Sequence, residues 1–182
     1  MPLPTLRGPR VVLRMPRPTD IAGRLAAGRD PEFRRMVGAR PAAGPMTRAE
    51  AERWYAALAR EPHGWVVEHD GRLAGEARLH RVDRAAGEGW LALGLFAPRD
   101  RGRGLGSEAA GLLVAHAFGT LGLRRLRLRV LAFNARALAC YRRSGFRETG
   151  REAVRLDGGE AAEDILMEAT PAAGGPPDRQ RP

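Results

Sequence analysis

The spacing of hydrophobic and polar positions along the chain predicts an α/β domain. Apolar residues at i, i+3, i+4 and i+7 indicate a helix that follows a Thr47-x-x-Glu50 capping box and runs to Arg60. A second helix is expected from Leu105 to about Leu121, and Gly122 ends it. Strict alternation over Arg125 to Val130 predicts a strand with apolar residues on one face and arginines on the other.

The other segments complete the order β-α-α-β-β-β-α-β-α-β-β, which corresponds to a mixed sheet. An Asp70-Gly71 turn between two apolar runs, Gly64 to His69 and Arg72 to Val82, predicts a hairpin. The remaining expected elements are a strand at Arg10 to Arg14, a helix from Thr19 or Asp20 to Ala27, a helical turn within the irregular segment Arg29 to Pro45, a strand at Trp90 to Phe96, a short helix between Asn134 and Gly145, and strands at Phe146 to Leu156 and Ala162 to Glu168. Residues 1–169 are expected to form one domain, and the Pro- and Gly-rich residues 170–182 are expected to be a disordered tail.

Composition narrows the function classes. The apolar runs are too short to span a bilayer, and the first ten residues contain no apolar signal-peptide core, so we expect a cytosolic protein with no membrane partner. A single cysteine, Cys140, excludes an internal disulfide, and the four histidines show no paired metal-ligand spacing, so no metal is expected.

The formal net charge is +10, and all of the positive charge comes from arginine, because the chain contains no lysine. The arginines are spread from Arg7 to Arg181 and are not gathered in one block, so we interpret most of them as solvated surface residues and do not expect nucleic-acid binding. The arginines of Arg124 to Arg129 stay candidates for contact with an anion.

A glycine- and arginine-rich loop within Leu93 to Ser107 is typical of a phosphate site. It follows the strand at Trp90 to Phe96 and precedes a helix, whose first N–H groups and dipole favour an anion. Gly102, Gly104 and Gly106 allow tight turns and a close approach to a ligand, while Arg101 and Arg103 would add mobile positive charge.

Three other interpretations of the loop can be compared. A nucleoside-triphosphate P-loop requires a lysine and is excluded. A dinucleotide fingerprint fits Gly104, Gly106 and Ala109, but no acidic residue lies between Glu108 and Glu148 to bind a ribose, which disfavours it. An ordinary strand-to-helix turn without a ligand stays open.

Two motifs carry a resemblance to a known family. Arg101-x-x-Gly104-x-Gly106 is similar to the R/Q-x-x-G-x-G/A segment of the Gcn5-related N-acetyltransferases (GNAT), and N-A-R-A-L-A-C-Y-R-R-S-G-F, from Asn134 to Phe146, is close to that family's N-x-x-A-x-x-x-Y-x-x-x-G-F. The segments around Glu108 and at the end of the domain look like the RimJ/RimL branch. The resemblance covers Arg10 to Ala169.

The resemblance implies an acetyl-CoA-dependent N-acetyltransferase that acts on a primary amine of a small molecule or a protein N-terminus, by direct attack in a ternary complex. It implies a mixed, mostly antiparallel sheet flanked by helices, whose central strands at Trp90 to Phe96 and Arg125 to Val130 splay apart to admit the pantetheine arm. The alternative is a non-catalytic acyl-CoA-binding or regulatory module. A homodimer stays open, and the acceptor amine cannot be read from the residues. The residues implied to bind the cosubstrate are Leu95, Phe96, Arg101, Gly102, Arg103, Gly104, Leu105, Gly106, Ser107, Asn134 and Tyr141.

The resemblance also implies that Tyr141 is the general acid beside the leaving sulfur, although a core tyrosine would fit the same position. Asn134 fits equally well as a helix N-cap. Relatives carry a glutamate base on one of the two splayed strands, but Trp90 and Arg129 stand at the corresponding positions here. Glu88 and Glu76 are the candidate bases, and a water relay would need neither.

Overall fold

The structure is a computed structural model that describes residues 3–40, 42 and 44–171. Its strands are β1 (Leu6–Arg7), β2 (Val11–Arg14), β3 (Gly64–His69), β4 (Arg72–Asp83), β5 (Glu88–Leu95), β6 (Arg125–Leu131), β7 (Arg147–Arg155) and β8 (Ala161–Ala169). Its helices are α1 (Asp20–Ala27), α2 (Pro31–Met36), α3 (Arg48–Arg60), α4 (Leu105–Gly119) and α5 (Ala135–Arg143), with a short 3-10 helix at Pro98–Asp100. Residues 172–182, most of the expected tail, lie outside the described residues.

All of these strands belong to one sheet with the order β1-β2-β3-β4-β5-β6-β8-β7. Neighbouring strands are antiparallel except for β5 and β6, which run parallel. The predicted fold class, a mixed and mostly antiparallel sheet flanked by helices, is therefore confirmed.

Local sequence signals explain why the elements begin and turn where they do. Thr47 and Glu50 form the predicted capping box at the start of α3. Asp70 and Gly71, which join β3 to β4, both have positive φ, at 50° and 71°, as a tight two-residue hairpin turn requires. In β6 the predicted alternation holds, because Leu126 and Leu128 are buried.

The structure differs from the predicted order in three places. The two-residue strand β1 was not predicted, and α4 ends at Gly119, before the expected Leu121. The helical turn expected in the irregular segment is the six-residue helix α2. Its sequence carries a signal for a helix start, since Asp30 caps it by accepting a hydrogen bond from Phe33 N at 2.5 Å and Pro31 follows at the first helical position.

The helices cover the two faces of the sheet unequally. On one face α4 and α5 pack over the central strands in the main core, which includes Leu113, Leu126 and Tyr141. On the other face α1 and α3 pack over β3 and β4, where Leu58 and Phe96 belong to a second apolar cluster.

The two parallel strands in the middle of the sheet pair only where they begin. Glu88 to Trp90 pair with Arg125 to Arg127. Beyond that point β5 pairs with β4 as far as Leu95, and β6 pairs with β8 as far as Leu131. The central strands thus part after Trp90, as the resemblance implied, and their facing backbone groups are left without a strand partner.

Candidate functional site

A cavity of about 170 Å³ lies where the central strands part. Its wall includes eight of the eleven residues predicted to bind the cosubstrate. These eight are Leu95, Arg101, Gly102, Gly104, Gly106, Ser107, Asn134 and Tyr141. The rest of its wall comes from Phe33, Met36, Val37, Leu93, Gly94, Arg136, Ala137, Cys140 and Arg143. The splay therefore brings the loop, α5 and the short helix α2 around one space.

The start of α4 has the geometry of an anion site. Gly104 is its N-cap and has a left-handed φ of 83°, and Gly102 also has a positive φ, of 74°. A glycine N-cap offers no side chain to the N–H groups of the first turn, which carry the positive end of the helix dipole. A Cβ at Gly106 would lie 3.6 Å from Cys140 Sγ, so a longer side chain there would fill the cavity. The site fits a phosphate or diphosphate group.

Three predicted cosubstrate residues do not line the cavity. The side chains of Phe96 and Leu105 are 3% and 1% exposed and belong to the core, so only their backbone could reach a ligand. Arg103 is exposed, and its carbonyl accepts a hydrogen bond from Arg10 Nη1 at 2.8 Å.

The expectation of a mobile positive charge at Arg101 is wrong. The Arg101 side chain is 10% exposed and forms ion pairs with Asp30 at 2.6 Å and Glu32 at 2.8 Å. It also donates hydrogen bonds to the carbonyl oxygens of Leu95 at 3.2 Å and Phe96 at 2.8 Å. Two carboxylates therefore neutralise this guanidinium and fix its position.

Tyr141 lies in α5 with its side chain between the core and the cavity. It is 7% exposed, its ring contacts that of Phe146 edge-on at 5.9 Å, and burial raises the pKa of its hydroxyl. No hydrogen bond from this hydroxyl is made within the described residues. The raised pKa keeps the side chain protonated at neutral pH, and the residue lines the cavity.

Asn134 serves as the N-cap of α5, the alternative that the sequence left open. Its Oδ1 accepts a hydrogen bond from Ala137 N at 3.1 Å, and its Nδ2 donates one to the carbonyl of Met36 at 3.3 Å. Its side chain also lines the cavity, where it links α5 to α2.

Comparison with known proteins decides the family. A family model described as "Acetyltransferase (GNAT) domain" matches residues 10–147. The chain belongs to the GNAT acetyltransferases.

Solved structures share the fold of this GNAT domain. A GCN5-related N-acetyltransferase from Brucella melitensis is 22% identical, with a TM-score of 0.79 over 93% of this chain and 80% of that one. Mycobacterium smegmatis RimJ in complex with CoA-disulfide is 24% identical, with a TM-score of 0.75 over 93% and 87%. Spermidine N-acetyltransferase from Vibrio cholerae in complex with CoA and spermine is 19% identical, with a TM-score of 0.71 over 90% and 96%.

The two candidate bases of the GNAT domain lie in different places. Glu88 begins β5 and forms ion pairs with Arg125 at 3.2 Å and Arg127 at 3.4 Å. Five residues of extended strand, about 17 Å, separate it from Leu93 at the cavity. The structure therefore does not bring Glu88 to the site.

Glu76 lies next to the cavity. It is the β4 residue opposite Gly94, which lines the cavity wall. Its carboxylate accepts hydrogen bonds from Trp54 Nε1 and from Arg78, one on each oxygen. Glu76 is thus one strand away from the cavity wall without lining the cavity, and both of its oxygens already have a donor.

Sequence reasoning missed Arg143, near the end of α5. It is exposed, lines the cavity, and has no carboxylate within ion-pair distance among the described residues. A signal was present, because Arg136, Ala137, Cys140 and Arg143 follow helical spacing around Tyr141 and all line the cavity. Arg143 is thus a cation at the cavity without a carboxylate partner among the described residues.

Two other properties of the described residues bear on function. They contain no group of three or more His, Cys, Asp or Glu side chains placed to hold a metal ion. None of their helices combines the length and the apolar character needed to cross a membrane.

Proposed function

We propose that this GNAT domain transfers an acetyl group from acetyl-CoA to a primary amine, of a small molecule or a protein N-terminus, by direct attack in a ternary complex. One observation carries the proposal. One cavity, at the parted strands, is lined both by glycines at the open N-terminus of α4 and by Tyr141. Acetyl-CoA supplies an activated thioester and a diphosphate, and both ends of the cavity suit these groups.

The start of α4 would bind the diphosphate. Its N–H groups are fixed before a ligand arrives, and the glycines allow oxygen atoms to approach the backbone. Arg143 and Arg103 are the cations available to assist, since the charge of Arg101 is already neutralised. The exposed edges of β5 and β6 offer backbone donors and acceptors to an extended polar arm.

Tyr141 would donate the proton that the leaving thiolate needs. A hydroxyl whose pKa is raised by burial stays protonated at neutral pH and is available as an acid. Its position on the cavity wall, without a competing hydrogen-bond partner among the described residues, supports this role.

Glu76 is the carboxylate best placed to receive a proton from the amine, either directly or through water. Its two donors would hold it in place, and the amine would have to share an oxygen with Trp54 or Arg78. Because of those occupied oxygens, a non-catalytic acyl-CoA-binding module stays the second candidate function. We assign no chemical step to Glu88.

Turnover on a panel of amines separates the two functions. The panel should include amino acids, N-terminal peptides, aminoglycosides and spermine, which is the compound bound in the Vibrio cholerae relative. With acetyl-CoA present, release of free thiol that depends on the amine supports acetyl transfer. Binding of acetyl-CoA without turnover on any amine favours the non-catalytic module. The net charge of +10 leads us to expect poor turnover with polycations.

A further inference from the structure

The short helix α2 lies across the parted strands and depends on polar contacts for its position. It has six residues, and none of them is buried. A helix of this length is not stable in isolation. Its apolar anchor is the half-buried Phe33, whose ring packs edge-on against that of Phe96 at 5.6 Å, and the other contacts that hold it are polar. Because Phe33 and Met36 of α2 line the cavity, the contacts that hold α2 also determine the shape of the cavity there.

Arg101 provides the contact at the N-terminal end of α2. Its guanidinium pairs with Asp30, the N-cap, and with Glu32 in the first turn. The pair with Asp30 is well shielded, with side chains 10% and 13% exposed, so water screens it little. The same guanidinium bonds to the backbone at the end of β5, and so it joins α2 to the loop that precedes α4.

Residues at the start of α5 provide the contacts on the opposite side. Arg136 pairs with the second oxygen of Glu32 at 2.7 Å, and Asn134 bonds to the carbonyl of Met36 at 3.3 Å. Glu32 thus bridges two arginines that belong to opposite sides of the splay. The contacts at both ends keep α2 over the opening.

The position of α2 determines where Phe33 lies. A Cβ on Gly94 would be 2.8 Å from Phe33 Cε2, so the ring rests directly on the backbone of β5. Gly94 faces the side of the sheet that carries α1 and α3, because Phe96, two residues further along the chain, belongs to their apolar cluster. Since α4 and α5 close the other face, an amine would reach the splay past Phe33.

We propose that Arg101 is a positioning residue that fixes α2, and through it Phe33, over the splay, so that it governs binding of the amine acceptor and not binding of CoA. This inference rests on the proposed acetyl transfer. It assigns Arg101 a role different from the one that its motif implies, because a guanidinium already paired with two carboxylates has little charge to offer a diphosphate.

Steady-state kinetics and binding measurements on four variants test the proposal. In Arg101→Gln and in Glu32→Gln, we expect the KM for the amine to rise about tenfold, while the Kd for acetyl-CoA stays within about threefold of wild type. The effects in the double variant should be less than additive, because both changes break the Arg101–Glu32 pair, although each also breaks contacts of its own. Arg143→Gln should show the reverse pattern, with a weaker Kd for acetyl-CoA. A weakened Kd for acetyl-CoA in Arg101→Gln with an unchanged KM for the amine would overturn the proposal.

A second readout does not depend on turnover. Cys140 is the one thiol of the chain, and it lines the same cavity as Phe33 and Met36 of α2. We expect a maleimide to label it several-fold faster in Arg101→Gln and Glu32→Gln than in wild type, since a loosened α2 leaves the cavity more open. Labelling should not be faster in Arg143→Gln. Burial raises the pKa of Cys140 and Arg143 partly offsets this effect, so the loss of Arg143 raises the pKa further and leaves less of the reactive thiolate.

The labelling result stands even if no amine is acetylated, so failure of the proposed function and failure of this inference can be told apart. Thermal melts confirm that each variant is folded, and Glu32→Gln changes a half-exposed side chain whose loss the fold should tolerate. Equal labelling rates in folded Glu32→Gln and wild type would show that these ion pairs do not hold α2 in place.

Discussion

Two buried arginines of this protein are stabilised in different ways. Arg14 donates hydrogen bonds to Asp20 at 2.7 and 2.9 Å and to Glu68 at 2.6 Å, and the Asp20 hydrogen bond above all raises its pKa. Arg24 is 8% exposed and has no carboxylate partner among the described residues, and burial lowers its pKa. Its guanidinium lies 4.1 Å from the centroid of the Phe96 ring, which compensates part of the desolvation.

Replacing each arginine by methionine should therefore give different results. Arg14→Met leaves Asp20 buried without its cation, and we expect a loss of about 3–5 kcal/mol in the free energy of unfolding. Arg24→Met removes an unpaired charge and keeps the packing, so a change within about 1 kcal/mol is expected. Urea unfolding measures both, and equal losses would contradict this account of the two sites.

Gly104 connects backbone conformation to cosubstrate binding. Its φ of 83° strains any other residue, and a Cβ there would lie 3.0 Å from Arg10 Nη2, at the mouth of the anion site. We expect Gly104→Val to fold but to lose the rise in melting temperature that acetyl-CoA gives wild type. Gly111→Ala, in the same helix with open space around its Cβ, is the matched control and should keep the rise. A full ligand-induced rise in Gly104→Val would place the anion site elsewhere.

At the scale of elements, Glu108 joins α4 to the start of β2. Its carboxylate accepts hydrogen bonds from Arg10 N at 2.7 Å, Val11 N at 2.9 Å and Arg10 Nε at 3.0 Å. Burial alone would raise the pKa of Glu108, but these hydrogen bonds outweigh burial and lower it. The three bonds fix the first turn of α4, and with it the N–H groups of the anion site.

Glu108→Gln tests this link through its pH dependence. A carboxyl whose folded pKa is lowered contributes stability above its unfolded pKa, near 4.5, and the contribution is lost as pH falls through the folded value. We expect the variant to be about 1–3 kcal/mol less stable than wild type at pH 7, with the difference shrinking below pH 4.5. A difference that is the same at pH 7 and pH 3 would show that the charge of Glu108 is not responsible.

The elements show which features a sequence can reveal. The capping box of α3, the Asp70-Gly71 turn and the alternation in β6 depend on neighbouring residues, and the sequence predicts all three correctly. The role of Arg101 depends on Asp30 and Glu32, about seventy positions earlier in the chain, and no local pattern shows that they meet. For the same reason the positions of Glu76 and Glu88 relative to the cavity required the sheet register. The loop before α4 and Tyr141 could be proposed from the sequence because both lie within motifs that resemble those of the family.

At the scale of the whole molecule, the arginines differ in whether they have carboxylate partners, and this difference follows their position relative to the splay of the central strands. The arginines of β6 pair with carboxylates on the two strands beyond it, Arg127 with Glu168 of β8 and Arg129 with Glu152 of β7. In β6, which the sequence left as a candidate for contact with an anion, Arg127 and Arg129 are thus already paired with carboxylates. Two cations without carboxylate partners among the described residues remain near the anion site: Arg143 lines the cavity, and Arg103 lies in the loop before α4.

Tyr141→Phe tests the central claim most directly, because it removes one hydroxyl and keeps the ring against Phe146. If Tyr141 protonates the leaving thiolate, kcat should fall about 10²-fold, while the KM for acetyl-CoA and the melting temperature change little. Tyr55→Phe, which alters the second of the two tyrosines at a half-buried position in α3 away from the cavity, should leave kcat unchanged. If Tyr141→Phe instead lowers the melting temperature and keeps full activity per folded molecule, Tyr141 is a core residue and the proposed chemistry is contradicted.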